Sequence, residues 1–365
     1  MADLTPRAVA WAETMAGHAA SGVVRAHADG SARLATVAPV GRVAREEAEA
    51  ARLRPGAALA RGAGNRAIPE RPDAERTCFE RDRDRIVHST AFRRLAGKTQ
   101  VVVFPTDHQR TRLTHALEVA QVATSIARGV GANATLAEAI ALGHDCGHGP
   151  GGHASEDAFD PFVPGGYDHG PWGSDVVLTS LNLCSETLDG IRNHSWSRPA
   201  PATIEGEIVS WADRIAYCAH DLEDAVSAGI LTLDDLPREV AEVAGRTRRE
   251  QLATFVRAAV SATCATGQVS MEAGPAAALA TLRAFNYERI YTREESVAQS
   301  RAVIAVLTAL VEYYAEHAAD LPSDLDRSDP VRAAVTYVGG MTDRFAFDAA
   351  QQLLGWDPDR LPKGQ

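Results

Sequence analysis

The sequence predicts an all-α protein, and three observations carry that expectation. Apolar residues recur at helical spacing along most of the 365 residues. Capping residues and glycines punctuate these stretches at both ends. Runs of alternating β-branched residues are almost absent.

Taken in order, residues 1–66 are rich in Ala and Arg and are broken by Asp29-Gly30 and Gly62-Ala63-Gly64. That composition predicts an N-terminal extension joined to the body by a mobile link. Within it the pattern predicts a helix around Ala8–Ala20 and an amphipathic one near Ala44–Leu53. Thr99–Phe104 reads as a strand or extended piece. Arg112–Arg128 carries Leu113, Val119, Val122 and Ile126 on one stripe and stops at Gly129 and Gly131. Thr135, with Glu138 three residues on, reads as a capping box opening a helix that runs to Asp145. Thr203–Ala228 reads as one long helix ending at Gly229. Further helices are predicted at Glu239–Ala265, Gly274–Tyr291, Ala302–His317 and Pro330–Leu354.

Charge and composition exclude several classes. Lys and Arg total 37 against 48 Asp and Glu, a net charge of −11. An acidic chain lacks the basic face of a general nucleic-acid binder. No run of 18 apolar residues predicts a membrane span, and no basic-then-apolar leader predicts export. The five cysteines are odd in number, far apart and without a CxxC, which predicts reduced core thiols in a cytoplasmic protein.

Histidine placement points to the chemistry. Nine of the twelve histidines lie between His88 and His220. Among them His115 shares the stripe of Val119, Val122 and Ile126. His144-Asp145 ends the apolar run Ala139-Ile140-Ala141-Leu142, where an unpaired carboxylate would be costly. With Asp213 on the long helix, these four form a mixed imidazole and carboxylate set. Such a set suits a divalent ion with open positions, Mg²⁺ or Mn²⁺ first and Fe, Co, Ni or Zn after them, and not a closed structural zinc site. The turn Gly147-His148-Gly149-Pro150-Gly151-Gly152-His153 follows, and glycines let backbone approach a ligand closely. Glu156 lies one helical turn after His153, a spacing that lets it tune that imidazole for acid/base work, with His148 assisting. Arg112 and Arg214 each stand beside a proposed ligand and are candidates for phosphate oxygens.

These residues, with Phe79–Ile86, Phe92-Arg93-Arg94-Leu95, Lys98–Val101, Arg110–His115, Ala139–His153, Glu186–Ile191, Ala212–Tyr217 and Tyr337–Arg344, resemble the HD-domain deoxyguanosinetriphosphate triphosphohydrolase-like family. The resemblance covers roughly residues 65–355. It implies an HD-domain helical bundle with additional C-terminal helices: a core over 67–230 and a helical region over 231–365 packed on it. It implies hydrolysis of dGTP or of several dNTPs to the deoxynucleoside and inorganic triphosphate. By position, His115, His144, Asp145 and Asp213 would bind the metal, and His148, His153, Glu156 and His169 would serve the acid/base step. Arg112 and Arg214 would contact phosphate, while Tyr217 and Asp221 would line the sugar pocket. Relatives of this kind are commonly oligomers regulated by nucleotides, so a homo-oligomer and a regulatory nucleotide are implied with the dNTP. The competing expectations are an HD-type phosphohydrolase on another nucleotide and a nucleotide-sensing non-enzyme. Here Cys146 stands where the family usually has Leu, and Gly151 where an aromatic is common.

Overall fold

The computed structural model describes residues 4–101 and 109–362 and divides into two units, Met1–Val40 and Gly41–Gln365. In the first unit, helix α1 (Pro6–Glu13) starts on Thr5, whose hydroxyl accepts from the Ala8 amide. The helix expected to reach Ala20 stops early. Gly17 takes φ 63°, and the chain then forms an antiparallel hairpin of β1 (His18–Ala20) and β2 (Val23–Arg25). Ser21 and Gly22, at φ 50° and 79°, make the turn whose twist suits a two-residue hairpin.

The second unit is helical. It contains α2 (Arg42–Arg52), α3 (Cys78–His88), α4 (Thr90–Arg94), α5 (Arg112–Val130), α6 (Ala134–Gly143), α7 (Ala154–Phe159), α8 (His169–Trp172), α9 (Ser185–Asn193), α10 (Ile204–Ser227), α11 (Arg238–Ala244), α12 (Arg248–Thr266), α13 (Ala273–Asn286), α14 (Glu294–Glu316), α15 (Pro330–Gly339) and α16 (Asp343–Leu354). Residues 41–66, expected as part of the extension, belong to this unit. Glu49 accepts from the Ala60 amide and from Asn133, and the Arg54 amide donates to the Gly131 carbonyl.

Four predicted helices keep their place but change their ends or continuity, each for a local reason. Asn133, not Thr135, caps α6 by accepting from the amides of Thr135 and Leu136. The helix expected over Glu239–Ala265 is two, because Gly245 sits at φ 86° and Thr247 with Glu250 forms a fresh capping box for α12. The one expected over Pro330–Leu354 breaks after Gly339, and Thr342 caps α16. Conversely, α14 begins eight residues before the expected Ala302. Of the extended piece, Thr99 bridges to Thr111, and residues 102–104 lie outside the described residues.

Two apolar clusters fill the body. Helices α3, α5, α6, α10, α12 and α13 enclose one, around Ile86, Ile126, Leu136, Ile208 and Phe255. Helices α7, α14, α15 and α16 enclose the other, around Phe159, Val306, Leu310 and Phe347. Cys78, Cys146, Cys184 and Cys218 are buried, and all five cysteines are free among the described residues. Among those residues, no helix is long and apolar enough to cross a membrane.

One buried charge ties the strap before α3 to the chain around α9. Asp82 is fully buried and accepts from Arg66 at 2.6 Å, the Cys184 amide at 2.8 Å and the Thr187 hydroxyl at 2.7 Å. Arg66 spends its remaining donors on the carbonyls of Ala63, Cys78 and Asn182. Removing one partner of such a pair strands the other charge in a dry environment, which costs about 3–5 kcal/mol. Asp82→Ala is therefore expected to lower the unfolding free energy by about that amount in urea denaturation. A change within 1 kcal/mol, about the size of a surface pair, would show that water relieves the charge.

Candidate active site

The lead residues sit where helices end or face inward. In α5, His115 follows the buried stripe of Val119, Val122 and Ile126. Helix α6 is apolar almost all round, so it lies inside the body and delivers its C-cap, His144, to the interior. The His144 ring donates Nδ1–H to the Ala141 carbonyl at 2.6 Å, which leaves the Nε2 lone pair free. Helix α10 carries Asp213, Tyr217 and Asp221 along one side at four-residue spacing, with Arg214 next to Asp213.

These groups converge. His115 Nε2 lies 3.1 Å from Asp213 Oδ1. His144 Nε2 lies 3.4 Å from Asp145 Oδ1 and 3.7 Å from Asp213 Oδ1. Donor atoms of His115, His144 and Asp145 all fall within 4.8 Å of one another, and so do those of His144, His194 and Asp213. His144 Nε2 is buried without a hydrogen-bond partner among the described residues. An unmet buried acceptor costs about 1–3 kcal/mol, and a cation held with two carboxylates would supply its partner. The donor set therefore fits a divalent ion. Burial pushes the neighbouring Cys146 thiol up to about 12.

Electrostatics keep the carboxylates ionised. Burial opposes the charge of Asp145, but the Arg112 guanidinium at 2.7 Å holds its pKa well below the usual range. Burial likewise opposes the charge of Asp213, and the bond from His115 outweighs it. His115 is raised in turn: desolvation lowers it, and the Asp213 bond with the Asp145 charge more than compensates.

A second group forms behind the glycine turn. A Cβ on Gly147 would overlap the His169 carbonyl and the Gly173 amide, so only glycine lets α8 pack there. Gly151 and Gly152, at φ 70° and 65°, then swing the chain into α7. Glu156 was expected to tune His153, and the geometry corrects this. Its Oε1 accepts from His169 Nδ1 at 2.6 Å and from the His169 amide at 3.1 Å. His153 Nδ1 is 3.6 Å from Oε2, and that ring is 75% exposed, so water competes for it. His148 is buried and stacks on His169 with ring centroids 3.8 Å apart. Burial, then Arg112 and His169, drives His148 far below its ordinary pKa. His169 goes the other way: burial lowers it, and Glu156 outweighs burial. Its Nε2 lies 3.0 Å from His194 Nε2.

Both groups border a cavity of about 440 Å³. Arg112, His115, Asp145, His153, His169, His194 and Asp213 line it, whereas His144, His148 and Glu156 do not. The same cavity is lined by the other expected residues, in company that sequence reasoning missed. Arg214 lies flat over Trp196, 3.4 Å from the ring centroid. Arg283 donates to the Tyr217 hydroxyl at 2.9 Å. Tyr291 donates to Asp221, whose carboxyl is pushed up to about 7, chiefly by burial. His194 carried a readable signal, since like His144 it ends a helix one turn after an apolar residue. Arg283 and Tyr291 carried none, because only packing decides how α13 and the turn after it, Tyr287–Tyr291, meet α10.

Comparisons with known proteins identify the family of the chain. A family model described as HD domain matches residues 112–218, and one described as phosphohydrolase-associated domain matches residues 269–352. A deoxyguanosinetriphosphate triphosphohydrolase-like protein of Caldanaerobacter subterraneus subsp. tengcongensis is 40% identical over 313 residues, which is 83% of this chain and 92% of the relative. A protein of the same description from Clostridium perfringens is 40% identical over 304 residues, covering 78% of this chain and 89% of the relative.

If His115 and Asp145 are ligands, His115→Ala and Asp145→Ala should each lose most of the bound metal when purified beside the parent and assayed by elemental analysis. His115→Ala is the cleaner of the two, because Asp145→Ala also strands Arg112. Full occupancy in both variants would remove these residues from the set.

Proposed function

Since this chain belongs to the deoxyguanosinetriphosphate triphosphohydrolase-like family and is an HD-domain phosphohydrolase, we propose that it hydrolyses a deoxynucleoside triphosphate to the deoxynucleoside and inorganic triphosphate. The substrate is dGTP or several dNTPs, and the reaction depends on Mg²⁺ or Mn²⁺ held by His115, His144, Asp145 and Asp213. The observation that carries this reading is a juxtaposition. His169 of the Glu156–His169 pair and His115, Asp145 and Asp213 of the His/Asp cluster open onto one cavity, with His169 Nε2 only 3.9 Å from Asp145 Oδ1.

The residues divide the work by position. A bound divalent ion polarises phosphoryl oxygens and lowers the pKa of water. Arg112, Arg214 and Arg283 border the cavity and offset the triphosphate charge; guanidinium suits phosphate because its donors form a planar fork. Glu156 holds a proton on His169 Nδ1 and fixes the ring, so His169 is poised to protonate the leaving 5′-oxygen. His148 backs that ring as a neutral partner, and His153 lies at the open mouth. Tyr217 and Asp221, held by Arg283 and Tyr291, border the part of the cavity assigned to the deoxyribose.

The test is a panel of the four dNTPs, singly and mixed, with Mg²⁺ or Mn²⁺, followed by product analysis. Inorganic triphosphate and deoxynucleoside are expected in equal amounts. Orthophosphate or a monophosphate product would overturn the assignment.

The acid/base pairing makes its own prediction. Glu156→Gln should lower the single-turnover rate by roughly 10²-fold or more, with metal still bound, because it removes the charge that keeps His169 protonated. His153→Ala should lose less, since its ring is largely exposed. The reverse order would return the acid/base role to His153.

A further inference from the structure

His194 was not among the expected ligands, yet it is built like one. His144 and His194 are both C-cap residues, of α6 and α9, and these helices pack against each other. Each ring donates Nδ1–H to the carbonyl three residues earlier: His144 to Ala141 at 2.6 Å, His194 to Ile191 at 2.8 Å. A carbonyl can only accept, so in both rings the proton sits on Nδ1 and the Nε2 lone pair is aimed away from its helix. That is how proteins fix the tautomer and direction of an imidazole that binds metal. The two rings stand nearly edge to face with centroids 5.0 Å apart. The donor atoms of His194, His144 and Asp213 lie within 4.8 Å of one another, a grouping that could hold one ion. His194 is 2% exposed and borders the same cavity.

Its lone pair has a second claimant. His194 Nε2 is 3.0 Å from His169 Nε2. With the His194 proton committed to Ile191, that contact is a hydrogen bond from His169 to His194. A single lone pair cannot accept this bond and bind a cation at the same time.

We propose that His194 is a further protein ligand of the metal centre, and that binding the ion withdraws its lone pair from His169; this rests on the metal-centre reading given above. Loading then has a consequence for the acid. Glu156 keeps its hold on His169 Nδ1, while the Nε2–H is released to face the cavity. The same substitution of partners thus completes the donor set and aims the proton at the substrate. Without the ion, His194 holds that proton away from it.

The test uses the full-length protein, stripped of metal and titrated with Co²⁺ alone. A ligating histidine keeps one ring N–H close to the paramagnetic ion, and that exchangeable proton gives a strongly shifted NMR signal lost in D₂O. Three such signals are expected, from His115, His144 and His194. In His194→Gln one signal should vanish and Co²⁺ affinity should fall by roughly 10–100-fold, in protein that remains folded without metal. Two signals in the unmodified protein would overturn the proposal, whatever the variant does, and so would unchanged affinity in His194→Gln. A variant that fails to fold leaves the signal count in the unmodified protein to decide. If the unmodified protein takes up no Co²⁺, the metal-centre reading itself fails and this inference falls with it. Normal uptake with only two signals removes His194 alone.

Discussion

The carboxylate of Asp145 is buried at the end of an apolar helix, and its two oxygens must satisfy groups from four parts of the chain. One oxygen takes the Arg112 guanidinium at 2.7 Å. The other faces His144 at 3.4 Å, His148 at 3.3 Å and His169 at 3.9 Å. A buried carboxylate is costly unless paired, so α5, α6, the glycine turn and α8 must all come to it. The cationic and imidazole partners that remove the penalty are also the candidate catalytic groups. Removing the desolvation cost of this residue and assembling the site are one and the same arrangement.

Helix ends supply the precision. His144 and His194 gain fixed tautomers from carbonyls of their own last turns. Neither ring has to be oriented by a long side chain from elsewhere. Glycine supplies the closeness. At Gly147 the backbone of the turn lies against the His169 carbonyl, and at Gly152 a Cβ would press on the Arg112 guanidinium. Each of these approaches places a charged or imidazole group where a larger residue would hold it off.

The C-terminal helices take part in this geometry and do more than cover it. Lys98 is buried and donates to the carbonyls of His148 and Gly339, one from the glycine turn and one from the end of α15. Asp343, at the start of α16, accepts from the Gly151 amide at 2.8 Å and the Thr99 amide at 3.0 Å. Burial pushes Lys98 down to about 8, so the three-way tie is held against a desolvation cost. The turn that delivers Glu156 to His169 is therefore anchored by residues nearly two hundred positions later in the chain.

Much of this was legible from residue order alone. Helical spacing marked the α-class, since burying one face of a helix imposes a period near 3.6 on apolar residues. The pair His144-Asp145 stood out because ionisable groups ending an apolar run need a partner. The stops at Gly131 and Gly229 were legible because a left-handed residue after a helix favours glycine. Other features depended on chain segments far apart in sequence. Whether Glu156 meets His153 or His169 turns on how sharply Gly147–Gly152 folds, and local spacing favoured the wrong ring. Arg283 reaches the cavity because α13 packs on α10, and Tyr291 because the turn after α13 brings it to Asp221 of α10. Residue order thus determined which groups need burial or a charged partner, because those costs are local. Tertiary packing alone decided which partner each received, because several candidates lay equally near in sequence and only one lay within bonding distance.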